Sequence, residues 1–130
     1  MIVSLHVATG AVGGTLTRSR TGAIALGLVL HALGDRIPHE DFESQRFEIW
    51  SGFACLSALA LRYGPFSPVT IGAAASAAPD LEHAGPLERP EGEKLFPTHR
   101  IEGWHGRGGI TAMAQLALAG AIIGVLLARR

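Results

Sequence analysis

The chain has 130 residues, enough for one domain (residues 1–130) with one modest core. Its 11 basic residues balance 11 acidic ones, so no net positive field argues for nucleic-acid binding. A single cysteine, Cys55, excludes a disulfide framework and a multi-cysteine zinc site and reads as a small buried hydrophobe.

Five apolar helices are predicted in chain order. The first runs from about Ile2 to Leu16, is rich in Gly and Val, and carries the isolated His6. It has no charged region ahead of it and is not read as a cleaved signal peptide. The second runs from Thr21, read as its N-cap, to Gly34. The third runs from about Phe47 to Tyr63 and is closed by Gly64-Pro65. The fourth is Pro68 to Ala78, with proline in the first turn and Pro79 beyond the end. Pro86 to Pro97 reads as a surface loop and a flap. The last helix, Gly109 to Ala128, has only Thr111 and Gln115 as polar interruptions and matches the roughly 20 residues that span a bilayer core.

The charges are segregated. Every acidic residue and every histidine lies at the N-terminus, between His31 and Glu48, or between Asp80 and His105. Arg18, Arg20, Arg62, Arg129 and Arg130 fall in the alternate turns and at the end of the chain. Helices running up and down therefore bring the His/Asp/Glu residues to one end and bare arginines to the other. The positive-inside rule makes the arginine end cytoplasmic and the ligand end outer. The expected fold is an all-α up-and-down bundle of about five helices, embedded in a membrane. Small residues such as Gly120 and Gly124 are available for contacts between copies in a homo-oligomer.

Three clusters carry potential chemistry. His31 and Asp35, four residues apart, share one helix face and can hold one metal or bridge two. Pro38 ends that helix and could turn His39 and Asp41 back toward the same point. The second cluster is Asp80, Glu82 and His83. The third is His99, Arg100 and His105, where Arg100 could clamp a phosphate through a two-pronged hydrogen bond. His6, by alternation, lies at the same end. Nitrogen and oxygen donors without thiolates suit zinc, manganese or iron, as one or two ions. Such ions lower the pKa of bound water to about 7 and polarise a phosphoryl oxygen.

The stretch His31-Ala32-Leu33-Gly34-Asp35-Arg36-Ile37-Pro38-His39-Glu40-Asp41 resembles a pattern in bacterial membrane proteins of the LexA-binding inner-membrane hydrolase group. That group is thought to be distantly akin to zinc-dependent phospholipase C and single-strand-specific zinc nucleases. His6, Asp80 with Glu82 and His83, and His99-Arg100 before His105 look like its other signatures. The order differs, since here the H-x-x-x-D precedes the His-Arg pair, and His99 and His105 stand one residue further apart than in the group. The resemblance implies His31 and Asp35 as metal ligands first, then Asp80 and His99, then His6, His39 and His105. It implies Glu82 and Asp41 as a general base or an outer carboxylate.

The expected function is hydrolysis of a phosphoester, including lipid headgroups, by a zinc-type site at the outer face of the bacterial inner membrane. The competing readings are a non-catalytic membrane protein with a structural metal or a partner-binding His/Asp face, and a metal or haem carrier using His6 and His31 as axial ligands.

Overall fold

A computed structural model describes residues 1–83, 94–104, 106 and 108–129. Among these residues the fold is all-helical, with five α-helices and two 3-10 turns. The α-helices are α1 (Val3–Leu16), α2 (Arg20–Arg36), α3 (Gln45–Tyr63), α4 (Pro68–Ala77) and α5 (Ala112–Ala128), and the turns are Ala78–His83 and Pro97–Arg100.

The helix starts follow from capping side chains. Ser19, Ser44, Ser67 and Thr111 each accept a hydrogen bond from a backbone N–H in the first turn, satisfying a donor that no helical carbonyl reaches. Ser19 therefore starts α2, and the expected cap Thr21 lies inside it. Thr111 starts α5 later than expected because Gly108 and Gly109 adopt positive φ, which the helix cannot accommodate. The resulting α5 has 17 residues, a rise of about 26 Å against a hydrocarbon core of about 30 Å. Among the described residues no helix is long and apolar enough to cross a membrane.

Helix α1 is the centre of the bundle, in contact with all four others, and its closest partner is α4. Glycine makes that approach possible. A Cβ on Gly10 would lie 2.4 Å from the Gly72 carbonyl oxygen, and one on Gly72 would lie 2.5 Å from the Gly10 carbonyl oxygen. The core beside this seam is built from Leu5, Val7, Ala8, Ala11, Leu59, Ala73 and Ile123.

The alternation of helices brings the two sets of turns to opposite ends. At the arginine end, Arg20 Nε donates to the Phe66 carbonyl at 3.0 Å, and Arg62 Nε donates to the Leu127 carbonyl at 3.3 Å. At the other end Gln115, 1% exposed, accepts from the Ile2 N–H at 3.1 Å and donates to the Glu40 carbonyl at 2.7 Å. The sequence offered Gln115 as a polar interruption. It is a buried clamp joining α5 to the start of α1 and to the loop after α2.

Candidate metal centre

The last turn of α2 carries His31 and Asp35 inward, and both are buried. The His31 Nδ1 lies 2.8 Å from the Ser76 carbonyl oxygen on α4. A carbonyl only accepts, so Nδ1 carries a hydrogen, and in the neutral ring Nε2 presents a lone pair. That lone pair lies 3.1 Å from Asp35 Oδ2 and 3.2 Å from His99 Nε2.

His99 reaches the same point from the 3-10 turn Pro97–Arg100. Its Nδ1 is hydrogen-bonded to a carboxylate oxygen of Glu82. Glu82 also accepts from the backbone N–H groups of Leu95 and Phe96, so one carboxylate fixes both the ring and the segment carrying it. Burial works against the charge of Glu82, but its bond to His99 and the two backbone donors hold its pKa below the usual carboxylate value. Burial alone would lower His99, yet Asp35 and Glu82 outweigh it and raise its pKa. With Nδ1 turned to Glu82, the acid–base change of His99 falls on Nε2, the atom facing His31 and Asp35.

These three donors form a nearly equilateral triangle. Its edges are 3.1 Å from His31 Nε2 to Asp35 Oδ2, 3.2 Å between the two imidazole nitrogens, and 3.4 Å from His99 Nε2 to Asp35 Oδ2. Zinc–nitrogen and zinc–oxygen bonds of about 2.0–2.1 Å in a tetrahedron give an edge of roughly 3.3 Å. Two lone pairs facing each other at 3.2 Å repel unless a positive charge lies between them. A proton on His99 supplies one such charge, and a metal ion is the other species that fits. The side chains of His31, Asp35 and His99 are at most 1% exposed, and the Phe96 ring stands edge-on to His31 at 5.2 Å between centroids.

A second group adjoins the first. His6, His31 and Asp80 place one donor atom each within 4.8 Å of one another. The His6 Nε2 is 2.9 Å from Asp35 Oδ1 and 3.8 Å from Asp80 Oδ2. Asp35 Oδ1 faces His6 and accepts from the Met1 amine at 2.9 Å, while Oδ2 faces His31 and His99. His6 Nδ1 and Asp80 Oδ2 are buried and lack a hydrogen-bond partner among the described residues, an expensive condition that a ligand at this position relieves. Burial raises the pKa of Asp80 to about 7.

The sequence-derived candidates divide accordingly. His6, His31, Asp35, Asp80 and His99 converge. Glu82 stands behind His99, and both its oxygens are engaged there. His39 is not part of either group. Its Nδ1 donates to the Ile37 carbonyl at 2.7 Å, and its Nε2 meets the Met1 amine and, at 3.4 Å, Asp41. The cause is the pairing of the 38–40 segment with Ile110, which carries His39 toward the α5 start. Asp41 is 62% exposed. Arg100 is exposed, and its Nε donates to the Lys94 carbonyl. His83 ends the 3-10 turn Ala78–His83, and the placement of its side chain lies outside what the structure describes. His105 and most of the Pro86 to Pro97 loop lie outside the described residues. The His6 and His31 rings stack at 4.2 Å between centroids, which leaves no room for a haem plane between them.

Two contributors were not anticipated, the Ser76 carbonyl that sets the His31 tautomer and the Phe96 ring. A backbone carbonyl has no sequence signature. Phe96, an aromatic three residues before His99, was the available signal for the other. No protein-family model, curated protein or solved structure matches this chain.

Proposed function

We propose that this protein is a membrane-bound, metal-dependent hydrolase of phosphoesters, related to the inner-membrane hydrolase group that its motifs resemble. The observation that carries the metal reading is the triangle of His31 Nε2, His99 Nε2 and Asp35 Oδ2, with edges of 3.1 to 3.4 Å. His6, His31 and Asp80 offer an adjoining position, so the site has donors for one or two ions. A zinc-type ion supplies an activated water and polarises the phosphoryl oxygen. Glu82 orients His99, and Arg100, exposed on the same turn, is the cation offered to the phosphate oxygens.

The membrane reading rests on the outer surface. Leu16, Leu61, Phe66, Trp50, Phe53, Met113 and Val125 are each more than half exposed, on different helices and turns. A surface carrying this many large apolar side chains is compatible with contact with lipid. The arginine-lined end then faces the cytoplasm and the metal centre faces outward.

A second reading is a structural ion without catalysis, favoured by the closed burial of the His31, Asp35 and His99 side chains. Asp80 argues for reactivity, since its side chain is 16% exposed and reaches a surface cleft. The deciding assay is hydrolysis of lipid and nucleotide phosphoesters by zinc-loaded and chelator-treated protein. Turnover that disappears on chelation and returns with zinc supports the hydrolase. A zinc-loaded protein inert on mono- and diesters of both kinds leaves the structural ion.

A further inference from the structure

The cleft at Asp80 is an apolar one of about 290 Å³ between α1, α3 and α4. Val7, Phe53, Leu56, Ala74 and Leu81 contribute to its walls, and Asp80 is the one ionisable residue among the described residues lining it. Phe53 and Leu81, at its mouth, are each 58% exposed. Its occupant must satisfy two unlike surfaces. The walls offer only dispersion and exclusion of water, which select hydrocarbon without directional polar groups. At Asp80 the cleft meets the side chain whose Oδ2 lies 3.8 Å from His6 Nε2, within the metal-ligand group.

We propose that this cleft binds the acyl chain of a phosphate-bearing membrane lipid and so delivers the headgroup to the metal centre. The inference rests on the metal reading above, because a bare Asp80 carboxylate would repel a phosphate that a cation beside it would attract. A chain lying along Val7 and Leu56 places its polar end toward Asp80, and the exposed Phe53 and Leu81 give entry from the lipid side. The apolar cleft of about 230 Å³ that includes Leu118 and His39 has no residue of the metal-ligand group in its lining, so it supplies a control.

The test uses the full chain in nanodiscs, zinc-loaded, with a photoreactive diazirine on the chain of dodecylphosphonate as probe and adducts located by mass spectrometry. Adducts on Val7, Phe53, Leu56 or Leu81 are expected. Ala74→Phe, which fills the cleft, should reduce them on the order of tenfold, while Leu118→Phe leaves them unchanged. Zinc content is measured on every sample and reports whether each variant has kept its site. Adducts spread evenly over the outer apolar faces, or untouched by Ala74→Phe, overturn the acyl-chain site even if zinc is bound. Adducts confined to the cleft in a protein that binds no zinc overturn headgroup delivery and the metal reading together, while chain binding stands.

Discussion

The centre depends on a few side chains whose orientation is fixed by neighbours. Glu82 holds His99 and the backbone of Leu95 and Phe96 at once. Groups that orient a metal ligand in this way contribute about 10- to 100-fold in affinity, so Glu82→Ala should weaken zinc binding by that order, with Glu82→Gln retaining more of it. Competition titration with a zinc chelator measures this. Asp80 gives a pH signature. Its pKa rises from 3.8 to about 7 on folding, so the folded state holds the proton more tightly. Its contribution to stability is therefore largest below pH 3.8 and declines as pH rises toward 7. Metal-free protein should lose thermal stability from Asp80 across that window, and an Asp80→Asn variant should show a flatter dependence. Zinc, which favours the ionised carboxylate, should raise Tm more at pH 8 than at pH 5.

The i,i+4 spacing of His31 and Asp35 was legible in the sequence because helical geometry alone puts both on one face. The pairing of His99 with Glu82 was not, since it closes across 17 positions through an irregular segment. His39 and Asp41 were placed at the site on the strength of Pro38. A proline ends a helix without fixing where the chain then goes, and pairing with Ile110 decided that.

Among the elements, the α1–α4 seam sets the position of His6 relative to Ser76 and Asp80. Gly10→Ala would drive a methyl into the Gly72 carbonyl, 2.4 Å away, and also within 2.5 Å of Ser76 Cβ. Overpacking of this kind costs about 1–3 kcal/mol, and here it also pushes apart the helices that hold His31 in register, so both Tm and zinc affinity should fall. Gly120→Ala is the contrast, since among the described residues no atom beyond its chain neighbours and its own helix backbone lies within 4 Å of its added Cβ. It should be neutral or stabilise α5 by up to about 1 kcal/mol. Thermal denaturation of the two variants checks both directions. The sequence composition pointed to close helix packing but not to which helices meet, because that pairing depends on the three-dimensional course of all five. The start of α5 was misjudged for a local reason, the positive φ of Gly108 and Gly109.

For the whole molecule, alternating turns predicted two chemically different ends, and the contacts of Arg20 with Phe66 and of Arg62 with Leu127 bring the arginine-bearing turns together. Hydropathy alone overstated the length of α5, because an apolar run and a helix need not share a boundary. The exposed apolar side chains of α3 and α5 lead to a specific expectation. The protein should remain with lipid through alkaline carbonate washing and be released by detergent. Release by carbonate alone would contradict membrane embedding.

Helix ends and one short turn bring His6, His31, Asp35, Asp80 and His99 together as the proposed metal centre. The most direct test is the metal content of purified protein, measured by mass spectrometry for the wild type and for a His31→Ala, Asp35→Ala double variant of unchanged helix content. A stoichiometric zinc-type ion is expected in the wild type and should be lost in the variant. No ion in the wild type after reloading at neutral pH, or equal metal in both proteins, would contradict it.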